Sequence, residues 1–220
     1  MSEKELHELG ISKWHKLEVA VKNGDKDEAL RLIDLLKENT VKFSKANIEW
    51  IDMLLTTLAE RLGEDVVYEM MKAQNDRTRK YLWKGVSVEK FHSEAEERLK
   101  TLCDILTAAH GLNIEITEDE EKFIIKFPCD TGAKLIARGD YGKTKWKHPW
   151  SHNEEGFCYY CSHCVVSWEM AIIEARGYPA WISLPPGKPG EQCTILIYKD
   201  ARAIPEKYYR MVGMDRRGKV

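Results

Sequence analysis

Three cysteines and a histidine fall within seven residues in Cys158-Tyr-Tyr-Cys161-Ser-His163-Cys164, the densest cluster of soft ligands in the chain. Two Cys-x-x-Cys pairs overlap there and share Cys161. Thiolates three residues apart can converge on one ion, so the spacing points to mononuclear zinc or iron. On a regular helix the three thiols occupy an arc of about 120°, and His163 points roughly the other way. His163 then joins them only if the first turn is unwound. Further ligands must come from elsewhere: His148 and His152 precede the cluster, and Cys193 follows it. A ferredoxin-type cluster fits less well, because its run continues with a fourth cysteine and a proline where this chain has Trp168. The competing reading is a row of ordinary core thiols, since Cys161 shares its face with Val165, Trp168 and Ile172.

Proton transfer has its own candidates. Glu169 lies about 20° from Cys158 on the same wheel, at the edge of an apolar face, where a carboxylate is a candidate general base. The alternative is a salt bridge to a basic residue such as Arg138. His152 is a second candidate, adjacent to the cysteine cluster. Pro128-Cys129-Asp130-Thr131-Gly132 joins a thiol, a carboxylate, a hydroxyl and free amides in one loop. Such a loop can hold an anion or activate Cys129 as a nucleophile; otherwise it is a plain turn. Trp146, Trp150, Phe157, Tyr159, Tyr160, Tyr178 and Trp181 crowd the same region, as the lining of a ligand pocket or as a small core of large side chains.

The elements that must position these residues divide the chain near residue 110. Before it, apolar stripes at helical spacing predict five helices, a scaffold or dimerisation bundle over 1–110. The first carries Trp14, Leu17 and Val21. Asp25 and Glu28 form a capping box ahead of Ala29, Leu32, Ile33 and Leu36. A third helix starts near Ser44 and stops at Gly63, and a fourth starts at Val67 and ends near Gly85. A fifth, capped by Ser87 and carrying Phe91, Ala95, Leu99, Leu102 and Ile105, stops at Gly111. After it, Leu112, Ile114 and Ile116, then Phe123, Ile125 and Phe127, alternate as a β-hairpin. Leu135-Ile136 reads as a third strand, Phe157 to Arg176 as one long helix, and Tyr178–Leu184 and Cys193–Tyr198 as strands. The fold class is therefore α+β, with a Cys/His-rich ligand- or metal-binding domain over 111–220.

Bulk properties narrow the partners. The 220 residues carry a net charge of -2 from 34 basic and 36 acidic side chains, too balanced for a nucleic-acid or polybasic-membrane protein. No apolar run reaches the ~18–20 residues that span a bilayer. Met1 to Leu9 lacks the apolar core of a secretory signal, so the expected setting is cytoplasmic, where clustered cysteines mean metal or redox chemistry.

Glu155 to Lys199 resembles a known arrangement. A Cys-bearing apolar helix ends at Gly177-Tyr178-Pro179, a strand follows, and Pro189-Gly190-Glu191-Gln192-Cys193 opens a final apolar strand. This resembles the 4-vinyl reductase-type small-molecule or metal-binding domain and the aminothiazoline-carboxylate hydrolase-like proteins. The former carries another cysteine where this chain has Pro185. The resemblance implies an α+β domain that binds a small ligand or a metal. Taken together, the expectation is a metal-dependent enzyme, hydrolase- or lyase-like, acting on a small organic substrate. The alternatives are a non-catalytic metal or ligand sensor and a structural zinc adaptor.

Overall fold

Gly24, Gly63, Gly111 and Gly177 mark helix ends as the sequence indicates, and the computed structural model describes residues 3–81 and 94–216. Helices α1 (Glu3–Gly10) and α2 (Lys13–Lys22) lead to Gly24, whose positive φ of 72° turns the chain. Asp25 then caps α3 by accepting from the Glu28 amide at 3.1 Å, half of the expected box. The second and third expected helices are one, α3 (Lys26–Leu62). Between their stripes lies no Gly or Pro, and Glu38–Lys42 and a Thr40 hydroxyl bonded to the Leu36 carbonyl carry the helix through. Gly63 (φ 94°) ends it, and α4 (Asp65–Tyr81) follows. The Gly85 stop, the Ser87 cap and Phe91 lie outside the described residues. Helix α5 (Ala95–Asp104) relaxes into a π-helical turn (Ile105–Ala109) before Gly111.

The hairpin forms as expected from β1 (Glu115–Glu118) and β2 (Lys122–Phe127), joined across Asp119, whose carboxylate accepts from the Glu121 and Lys122 amides at 2.9 Å each. Strand β4 (Cys193–Tyr198) pairs antiparallel with β2, and β3 (Ile182–Leu184) with β4. The sheet order is β1-β2-β4-β3. Leu135-Ile136 is not a strand: it lies in helix α6 (Gly132–Arg138), closed by Gly139 at φ 83°. Two adjacent apolar residues set no period, and the turn amides of Lys134 and Leu135 bond the Thr131 carbonyl instead.

The long helix also starts later than expected. Phe157 and Tyr159 exchange backbone hydrogen bonds with Thr144 and Gly142, which commits 157–159 to an irregular pairing. Helix α7 (Ser162–Cys164) continues through a π-helical turn (Val165–Met170) into α8 (Ala171–Arg176), ended by Gly177. A last helix, α9 (Glu206–Met211), was not anticipated.

The chain forms two compact units, Met1–Trp50 and Ile51–Val220, so α4 and α5 belong with the sheet. In the second unit α5 and α8 bury Leu102, Leu106 and Ile172 against Ile125, Phe127, Ile195 and Ile197 of the sheet. Arg98 of α5, buried, donates to the carbonyls of Ala180 and Tyr198 at 2.7 and 2.8 Å. A second cluster joins Leu55, Val67 and Met71 to Trp150, Tyr159 and Val166. Trp150 and Tyr159, candidates for a pocket lining, are thus core residues, whereas Trp146 is exposed. Among the described residues no helix is long and apolar enough to cross a membrane.

Candidate functional site

Strand register brings Cys129 and Cys193 together. Phe127, the last residue of β2, pairs with Cys193, the first of β4, and the loop carrying Cys129 leaves the sheet at that point. The Cys129 amide bonds back to the Phe127 carbonyl at 3.0 Å, a tight turn that points the loop across the strand end. The Cys129 sulfur accepts from the Cys193 thiol and from the amides of Ala133 and Thr131. The Thr131 hydroxyl lies 3.1 Å away. These donors outweigh burial and hold the half-buried Cys129 thiol at about 5, so it is a thiolate near neutrality. Cys193 moves the opposite way: donating to the Cys129 thiolate and being buried both keep its proton on.

His110, which sequence reasoning missed, stands beside this thiolate. Its Nδ1 is 3.1 Å from Asp130 Oδ1. That hydrogen bond, with the charges of Asp130 and Cys129, raises the imidazole above its ordinary value. Asp130 is held low by His110 and Lys134 despite burial. The only local sign was a histidine directly before the helix-ending Gly111, 20 residues from its partner.

Both groups line a cavity of about 120 Å³ whose walls are largely apolar, including Leu102, Leu106, Leu112, Trp168, Trp181 and Ile195. Cys161, His163, Cys164 and Cys193 also line it. His163 Nδ1 is 2.7 Å from the Tyr160 carbonyl, which can only accept; Nδ1 therefore carries the proton. Its Nε2 is then the acceptor for the Cys164 thiol at 3.3 Å. Burial and the negative charges of Cys129 and Glu169 keep Cys164 protonated. The Ser183 hydroxyl, 5% exposed, also belongs to this wall, beside the Cys164 thiol.

Glu169 and His152, singled out separately in the sequence, are brought together. Glu169 is buried, with His152 Nε2 3.1 Å from one carboxylate oxygen and the Ser183 amide donating to the other at 2.8 Å. Arg138 is not its partner; that side chain reaches the Asp140 carbonyl. His152 and the following Asn153 adopt left-handed φ values of 55° and 58°, uncommon for side chains with a Cβ. His152 and Cys158 line a second, more polar cavity of about 190 Å³ with Tyr141, Glu154 and Glu155.

The six residues expected as ligands are distributed over three places. Cys158 borders the polar cavity, while Cys161, Cys164, His163 and Cys193 border the apolar one. His148 is elsewhere: its Nε2 is 2.7 Å from Glu64, and its ring stacks on Trp150 at 4.5 Å. Glu64 also accepts from the Lys145 amide and the Tyr159 hydroxyl, so this cluster anchors the 144–151 loop to the start of α4. Cys158 lies before the helix starts, in a run of turns whose amides at 161–164 each bond the carbonyl three residues back. Among the described residues no group of three or more His, Cys, Asp or Glu side chains is arranged to hold a metal ion.

No protein-family model, curated protein or solved structure matches the chain.

Proposed function

We propose that the second unit is an enzyme of hydrolase or lyase type, in which the Cys129 thiolate attacks a small organic substrate bound in the apolar cavity. What carries this reading is the placement of the Cys129 sulfur, 3.1 Å from the Thr131 hydroxyl, in the wall of a largely apolar cavity beside an imidazole 3.1 Å from a carboxylate; the sulfur's surroundings favour the thiolate. Nucleophile, acid–base group and orienting carboxylate are the three roles that covalent catalysis requires.

The chemistry follows from the protonation states. Cys129 sulfur adds to a carbonyl or imine-like carbon, forming a C–S bond. Protonated His110 then gives its proton to the leaving group as the bond between that group and the attacked carbon breaks. Neutral His110 next takes a proton from water, which attacks the thioester-type carbon and returns the sulfur as thiolate. Asp130 keeps the ring oriented throughout. The cavity volume resembles that of pockets which take up a benzene-sized group, about 150 Å³, so the substrate's apolar part is a single small ring or a short branched chain. The Ser183 hydroxyl in the wall is a hydrogen-bonding point for a polar substituent on it.

The test is a panel of small aryl and alkyl thioesters, esters, amides and cyclic imines against the wild type, Cys129→Ser and His110→Gln. Turnover with a mass adduct on Cys129, lost in the serine variant, supports the reading. Binding of the same compounds without turnover favours the sensor, to which the mainly apolar walls also lend themselves. One zinc or iron per chain, lost in Cys129→Ser and Cys193→Ser, replaces the nucleophile with a metal ligand.

A further inference from the structure

Cys158 and Cys161 are not needed by the Cys129 chemistry, yet they are neighbours across one turn, each thiol acting on the other's proton. The two residues close a turn in which the Cys161 amide donates to the Cys158 carbonyl at 3.0 Å, just ahead of the first residue of α7. In such a turn the Cα atoms are under about 7 Å apart, against the 4.4–6.8 Å that a disulfide spans. The backbone therefore needs little adjustment to join the sulfurs. Gly132 makes the arrangement sterically feasible: a methyl group at that position would collide with the Cys161 sulfur.

The two sulfurs also face different surroundings. Cys158 is in the wall of the polar cavity, with His152, Tyr141, Glu154 and Glu155. Cys161 is in the wall of the apolar one. A polar cavity of about 190 Å³ is roomy enough for water and for molecules of similar size and polarity. Both cysteines are less than a tenth exposed, so bulky protein or peptide disulfides do not reach them.

We infer that Cys158 and Cys161 form a reversible dithiol–disulfide couple oxidised by a small peroxide, which enters the polar cavity and meets Cys158. The Cys158 sulfur attacks one peroxide oxygen; the O–O bond breaks, one water leaves, and a sulfenic acid remains. The Cys161 sulfur then attacks Cys158, the S–O bond breaks, and a second water leaves as the disulfide closes. Two thiols lose two electrons and two protons, and hydrogen peroxide is reduced to two waters. A small dithiol reductant reverses the change by thiol–disulfide exchange.

The experiment uses the full chain, reduced, treated with hydrogen peroxide at a small molar excess, quenched with N-ethylmaleimide and mapped by peptide mass spectrometry. The expected result is a Cys158–Cys161 disulfide with loss of two of the six free thiols, restored by dithiothreitol. Cys161→Ser should halt at a Cys158 sulfenic acid that dimedone traps, and Cys158→Ser should slow oxidation of Cys161 at least tenfold. A Cys129→Ser/Cys193→Ser double variant should still form the disulfide, which separates this couple from the thiolate assigned to catalysis. A map showing only a Cys129–Cys193 bond, or six intact thiols, overturns the inference. So does a Cys158→Ser variant in which Cys161 oxidises at the wild-type rate. The wild-type map alone decides the matter if a serine variant does not fold.

Discussion

Replacing Cys193 by Ala removes the donor that contributes most to holding Cys129 as a thiolate. Burial opposes ionisation, and the donors that remain, the Ala133 and Thr131 amides and the Thr131 hydroxyl, each contribute less. Cys129 should then return from about 5 toward the ordinary thiol value of about 8.5. At pH 6.5 its ionised fraction would fall from nearly all to roughly 1%, about a hundredfold loss. Reaction rate at that pH is nevertheless a poor readout. A more basic thiolate is intrinsically more nucleophilic, and with a Brønsted slope of 0.4–0.5 the same change raises its reactivity about 25–55-fold. The two effects nearly cancel, leaving a net decrease of roughly two- to fourfold. The informative measurement is the pH profile of iodoacetamide alkylation from pH 4 to 9.5, resolved to the Cys129 peptide. The wild-type midpoint should lie near 5 and that of Cys193→Ala above 8, with the variant reacting faster at pH 9. A wild-type midpoint above 8 would refute the thiolate assignment. An unchanged midpoint in a folded Cys193→Ala variant would refute the part given to Cys193.

Glu169→Ala leaves two buried donors, the Ser183 amide and the His152 ring, without an acceptor. At about 1–3 kcal/mol each the cost is about 2–6 kcal/mol, or roughly 4–20 °C in thermal midpoint. Glu169→Gln keeps an acceptor for Ser183 and should cost only about 1 kcal/mol; equal melting of both variants would contradict the pairing. For His110 the sign is that of a raised base: the Asp130 contact stabilises fully below the unfolded value near 6.5 and is lost as pH rises through the higher folded value. Asp130→Asn should therefore destabilise at pH 5.5 but not at pH 9, and lower the His110 titration midpoint seen by NMR. A destabilisation of equal size at both values would dissociate the two groups. The expected self-association has a physical basis in the exposed Trp14, Phe43 and Trp50. Light scattering should report a dimer that Phe43→Glu/Trp50→Glu converts to monomer; a monomeric wild type at high concentration would remove the expectation.

Local order was legible wherever it depends on neighbours in the chain. Apolar residues three and four apart determined the helices around Leu32, Val67 and Leu102, alternation determined β1 and β2, a continuous apolar run determined β4, and Gly24, Gly63, Gly111 and Gly177 marked ends because a positive φ there suits glycine. The same local rules located the chemistry-bearing residues Cys129, His152, Cys158 and Glu169. They failed where a distant partner claimed the backbone: Gly142 and Thr144 drew 157–159 out of the helix. Which thiols meet was beyond sequence spacing altogether. Cys129 and Cys193 are joined only because β2 and β4 pair in a register that sets Phe127 opposite Cys193. His110 reaches Asp130 only because the end of α5 packs by the end of the hairpin. A side chain's position along its own element follows from the steric and hydrogen-bonding preferences of a few adjacent residues. The side chain it meets follows from which apolar faces bury one another, and that is a property of the whole folded unit.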